Sequence, residues 1–147
     1  MKINFTKKEY RNLLDLLVIA DWVINSHRVG VDNETEKYNV LTQRLYSYAK
    51  DMGCSELLIL DKSTGKYYPN KALEEESEVR EFIECFEEDT FWQELIARLA
   101  TRDLLKKYGE NAFSELDVEQ RISATCDAEN EWEEEFNQYG LKRVGVK

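Results

Sequence analysis

One proline, one histidine and six glycines are all that this chain of 147 residues holds of those three types, and each shortage removes an answer. With His27 alone, a di-iron bundle built from paired Glu-x-x-His motifs lacks its ligands. A Ser/His/Asp hydrolase would have to be assembled around that one imidazole, and the Gly-x-Ser-x-Gly elbow is absent. The three cysteines, Cys54, Cys85 and Cys126, are far apart, odd in number and without Cys-x-x-Cys spacing. They fit neither a disulfide framework nor a zinc knuckle and read as thiols in a reducing compartment. No apolar run approaches the roughly 20 residues that span a bilayer, and the first residues lack a signal-type apolar core. The expectation is a cytoplasmic protein with no membrane segment. No Pro-, Gly- or Ser-rich linker, repeat or low-complexity tract marks a boundary, so residues 1–147 read as a single helical domain.

What is present argues for folding. Hydrophobic residues make up 42% of the chain and aromatic residues 12%, enough apolar surface to offset chain entropy on burial. Thirty acids stand against 20 bases, a formal charge of -10. A chain so charged repels phosphate backbones at long range and favours basic partners, so nucleic acid is not an expected ligand. The basic residues Lys7, Lys8 and Arg11 fit one solvated helix turn.

The pattern predicts a mainly α fold, a compact assembly of about five helices with a small β-hairpin. Thr6 and Glu9 have capping-box spacing, and a first helix follows from Lys7 to Asn25. Its apolar residues cover more than one face, which makes it either the central element or part of a subunit interface. A second helix is expected from Asp32–Glu34 to a stop at Gly53, with Tyr38, Leu41, Leu45, Tyr48, Ala49 and Met52 as its apolar stripe. Leu57–Leu60 and Lys66–Tyr68 flank a Gly65 turn and read as the hairpin, with residues 141–146 as a candidate third strand. The alternative for Leu57–Leu60 is a buried helix turn. Lys62–Lys66 lacks the spacing of a phosphate loop.

Val79, Phe82, Ile83 and Phe86 mark the apolar face of a third helix. Asp89 or Thr90 is expected to cap a fourth, carrying Phe91, Trp92, Leu95, Ile96, Leu99 and Leu104 to a stop at Gly109. The last helix begins at Ser114 or Asp117, carries Val118, Ile122, Cys126, Trp132, Phe136 and Tyr139 on one side, and ends at Gly140. Trp22, Trp92 and Trp132 are expected to meet in the core. His27 is read as a donor to the carbonyls ending the first helix, Cys54 as partly exposed, and Cys85 and Cys126 as packed apolar groups.

The strongest local signal is acidic. Between Glu74 and Glu94 lie Glu74, Glu75, Glu76, Glu78, Glu81, Glu84, Glu87, Glu88, Asp89 and Glu94 against one base, Arg80. A helix bearing Glu78, Glu81, Glu84, Glu87 and Glu88 is either a solvated face or a docking surface for a basic protein. A second run, Glu129, Glu131, Glu133, Glu134 and Glu135, surrounds Trp132 and adds to the negative surface. Oxygen ligands suit Mg²⁺ and Mn²⁺, and Glu78, Glu81, Glu84 and Glu87 have Glu-x-x-Glu spacing. In that respect the stretch resembles the all-α nucleotide pyrophosphohydrolases, which pair such a motif with Glu-x-x-Asp on a neighbouring helix. The resemblance implies a magnesium-dependent phosphohydrolase, although Glu-x-x-Asp occurs nowhere in this chain.

Three functions follow. The first is a non-enzymatic protein-interaction or regulatory module that binds a basic protein through the acidic helix and needs no cofactor. The second is a divalent-metal-dependent phosphohydrolase-like enzyme using Mg²⁺ or Mn²⁺. The third is a homo-oligomeric scaffold, such as a homodimer built on the first helix with Trp22 in its interface.

Overall fold

The computed structural model describes residues 3–28 and 33–145. Among them the chain is mainly helical, with six α-helices and one two-stranded antiparallel sheet: α1 Lys7–Asn25, α2 Glu36–Tyr46, β1 Leu58–Asp61, β2 Lys66–Pro69, α3 Lys71–Glu74, α4 Glu78–Tyr108, α5 Glu110–Glu115 and α6 Val118–Tyr139. The contacts divide into two compact units, Met1–Cys85 and Phe86–Lys147.

In the first unit α1 begins as its sequence requires. The Thr6 hydroxyl accepts from the Glu9 backbone N–H, and the Glu9 carboxylate accepts from the Thr6 N–H at 2.8 Å, so two orphan donors are satisfied together. At the other end Arg28, not His27, takes the carbonyl, donating from Nε to Ile24 O at 2.9 Å. The longer, forked Arg28 side chain reaches back over the last turn. His27 instead sets its ring edge-on to Trp22 at 6.4 Å.

The regular part of α2 is shorter than expected. Asp32, part of its expected start, lies outside the described residues, and the α-helical bonding ends at Tyr46. Residues 47–53 continue as turns to Gly53 at φ +65. There the Cys54 N–H reaches Ala49 O at 2.8 Å and the Gly53 N–H reaches Lys50 O, the paired closure of a left-handed cap. The inward face is Tyr46 and Ala49, while Tyr38, Leu41 and Tyr48 are exposed. The predicted stripe therefore holds only at Ala49 and the half-buried Leu45 and Met52.

The hairpin forms where it was expected, pairing Ile59 with Tyr68 and Leu60 with Tyr67, and Gly65 at φ +70 supplies its turn. Asp61 ties that turn, accepting from Ser63 N at 2.8 Å and Thr64 Oγ1 at 2.6 Å. Residues 55–57 form a single 3₁₀ turn before β1, so Leu58–Leu60 is strand and not helix. No third strand joins among the described residues: Gly140–Arg143 is a 3₁₀ turn, and Val146 lies outside them. Two strands are marginal alone, and Gln43 of α2 supports this pair from the side. Its amide donates to Tyr67 O at 2.8 Å and accepts from Tyr67 N at 2.7 Å.

The core of this unit is Tyr10, Leu14 and Val18 of α1, Tyr46, Ala49, Cys54, Leu73, and Val79 and Ile83 of α4, with Trp22, Leu57 and Tyr67 packed on it. Asn70 caps α3 by accepting from Leu73 N at 3.0 Å, which drives Leu73 into that core.

In the second unit the Asp117–Gln120 capping box starts α6, at one of the two expected residues, and Gly140 at φ +56 ends it. Ala100, Leu104 and Phe136 are its buried residues among those described. Trp92 and Trp132 pack on Phe136 with ring centres 5.3 and 5.4 Å away. Trp22 packs on the core of the first unit.

Helix α4 replaces the two expected helices. Asp89 and Thr90 lie inside it, because neither is glycine or proline and a break there would forfeit propagation on both sides.

Candidate interaction surface

The five glutamates read as a docking surface or metal site all fall on α4. Glu78, Glu81, Glu84, Glu87 and Glu88 are all exposed. Ser77 opens the helix, its Oγ accepting from Val79 N at 3.3 Å and donating to Leu73 O at 2.6 Å. Glu78 and Glu81 then sit in the first turn, where negative charge complements the helix dipole.

Further along, the carboxylates are held locally. Arg80 donates from Nε to Glu84 at 2.7 Å, an exposed i,i+4 pair of modest value. Glu88 accepts from the Trp92 indole N–H at 2.6 Å. The five carboxylates run along the helix and do not converge. Among the described residues no group of three or more His, Cys, Asp or Glu side chains is placed to hold a metal ion, so the Glu-x-x-Glu spacing at Glu78, Glu81, Glu84 and Glu87 gains no geometric support as a magnesium or manganese site.

The neighbours of these carboxylates were not foreseen. Val79 and Ile83 are buried, as their spacing required, but Phe82 is 60% exposed and Phe86 58%. Every residue from Glu84 to Phe91 is exposed. Phe86 lies on the same side of the helix as Val79 and Ile83, one turn further on, and is left to solvent. Periodicity marks which residues share a face; covering that face takes a second element. The signal available in the sequence was the acid content itself, since Glu84, Glu87, Glu88 and Asp89 leave little room for a packed neighbour.

The second acidic run is distributed differently. Glu135 pairs with Arg143 at 3.1 Å and is half-buried. Glu131 borders an open groove of about 610 Å³ in the second unit, which Asp103, Asp127 and Lys107 also line. Asp103 there is tied to Arg102 at 2.8 Å and accepts from the Trp132 indole at 3.1 Å. These contacts, Arg102 foremost, hold its carboxyl below the usual carboxylate range.

The cysteines invert the sequence reading. Cys54 is buried, with Sγ 3.6 Å from Met52 O, and burial, then Glu56, pushes its thiol up, away from nucleophilic character. Cys85 and Cys126 are the exposed ones, because α4 and α6 turn those positions to solvent. Val118 and Ile122 are likewise 62% and 60% exposed, so only the Trp132–Phe136 end of the predicted α6 face is packed.

No protein-family model, curated protein or solved structure matches the chain significantly. Among the described residues no helix is long and apolar enough to cross a membrane.

Proposed function

We propose that this chain is a non-enzymatic interaction module that offers the exposed stretch of α4 to a basic partner protein. The observation that carries the reading is the bare phenylalanine pair within an acidic helix: Phe82 and Phe86 stand 60% and 58% exposed on one face, with Glu81, Glu84 and Glu88 on roughly the opposite face. A basic partner with an apolar groove deep enough to enclose the helix matches it in both respects. The rings supply the desolvated anchors, and the carboxylates steer approach and fix register. The net charge of -10 supports a basic protein in this role over nucleic acid, and three thiols without disulfide spacing support a cytoplasmic setting.

The test is affinity capture at low salt with three baits: the wild type, a Glu81→Gln/Glu84→Gln/Glu88→Gln variant, and a Phe82→Ser/Phe86→Ser variant. The wild type should retain a basic protein that elutes at moderate salt. The glutamine variant should release it earlier in the gradient, and the serine variant should fail to retain it. Equal retention by all three baits, or none by the wild type, overturns the proposal.

A further inference from the structure

Strand β2, helix α2 and the last turns of α1 border a polar cavity of about 220 Å³ in the first unit, lined by residues that include Asp21, Asn25, Asn39, Tyr46, Lys66 and Tyr68. Tyr46 differs there from the other buried tyrosine. Tyr10 donates its hydroxyl to Leu45 O, whereas the Tyr46 hydroxyl, on a residue only 3% exposed, has no hydrogen-bond partner among the described residues. No side-chain polar atom fully closed off from solvent is left unpaired among those residues, so this hydroxyl is open to the cavity that Tyr46 lines. Burial first, then the Asp21 and Glu74 carboxylates, raise its pKa, and it stays a neutral donor and acceptor.

The groups around it are partly committed to one another. Asn25 uses both amide hydrogens, donating to Asp21 Oδ1 at 2.8 Å and to Asn39 Oδ1 at 3.3 Å. That leaves Asp21 Oδ2 and Asn25 Oδ1 as acceptors and the Asn39 amide as a donor. Lys66 adds an ammonium with no ion pair among the described residues.

We propose that this cavity binds an uncharged pyranose sugar. Asp21 and Lys66 bring opposite charges to the same space, so an anion or a cation gains from one and is repelled by the other. A sugar hydroxyl both donates and accepts, which is what a mixed set of carboxylate, amide, ammonium and phenol groups requires of its ligand. One such hydroxyl can accept from Tyr46 while donating to Asp21. Tyr68, 47% exposed, supplies an apolar ring beside these polar groups for the C–H side of the sugar. The volume lies below the roughly 300–1,000 Å³ of sites for drug-sized ligands, which suits a single ring.

Proton–nitrogen correlation NMR of the full chain tests the proposal, with the methyl glycosides of glucose, galactose, mannose and N-acetylglucosamine as probes. The modest affinity of small polar ligands puts Kd in the millimolar range, so each is titrated to about 50 mM. At least one glycoside should shift the side-chain amide signals of Asn25 and Asn39. Tyr46→Phe should weaken that glycoside about tenfold, as the loss of one hydrogen bond allows. Its melting temperature should not fall, because the hydroxyl removed has no partner within the protein. Asp21→Asn, a change at an exposed residue that keeps the acceptor for Asn25, should weaken the same glycoside. No shift with any of the probes, a Kd unchanged in both variants, or larger shifts of the same amides with glycine or methylammonium than with the glycosides would each overturn it.

Discussion

Gln43 gives its side-chain amide to both backbone groups of Tyr67, accepting the N–H at 2.7 Å and donating to the carbonyl at 2.8 Å. The amide thereby stands in for one peptide unit of a third strand, and the exposed edge of a two-stranded sheet is closed by a helix side chain. Replacing it with leucine removes both partners from part-buried backbone groups, at a cost of about 1–3 kcal/mol. Urea denaturation of Gln43→Leu against wild type measures that loss.

Tyr10 ties α1 to α2 by donating to Leu45 O at 2.7 Å, and burial pushes its hydroxyl pKa up to about 12. Burial raises Tyr46 as well. Unfolded tyrosine ionises near pH 10, so these groups favour the folded state fully below that pH, and their contribution is lost as pH rises from 10 towards 12. The urea midpoint should fall steeply over that window, with a shallower fall in Tyr10→Phe.

The Asp61 carboxylate accepts from Thr64 and Ser63 in the hairpin turn, and those hydrogen bonds lower its pKa to about 2. Being depressed, it favours the folded state above the ordinary Asp value of about 3.9, and that contribution disappears as pH falls through about 2. NMR titration of the Asp61 side chain should show the low midpoint, and Thr64→Val should move it upward.

Within α4, neighbouring apolar residues should respond in opposite ways. Ile83 is 5% exposed, and Ile83→Ala should cost about 2–5 kcal/mol through lost transfer energy and the cavity left behind. Phe86→Ser, one turn on, should change stability by no more than about 0.5 kcal/mol. Thermal melts of the two variants check the contrast.

What the sequence revealed and what it hid divide along a physical line. The Thr6–Glu9 box, the start of the last helix at Asp117, the Gly65 turn and the Gly109 and Gly140 stops depend on atoms three or four residues away, and all form as the local pattern requires. The burial of Cys54 and the exposure of Cys85 and Phe86 depend on which element comes to lie alongside, information that periodicity does not carry. Asp89 and Thr90 show the same limit from the other side, since each is a good cap whose flanking helices fuse when nothing forces a turn. For the candidate surface, the carboxylates were legible and the bareness of the phenylalanines on the same helix was not.

The exposed stretch of α4 also has a kinetic signature. From Glu84 to Phe91 the backbone is helical while every side chain faces water, so its amides are guarded by intrahelical hydrogen bonds with little tertiary packing over them. Local opening costs least where few apolar contacts must be broken. Hydrogen–deuterium exchange along α4 should therefore be fastest in its middle, reversing the usual fraying from the ends, and any ligand seated there would leave its footprint as a protected centre.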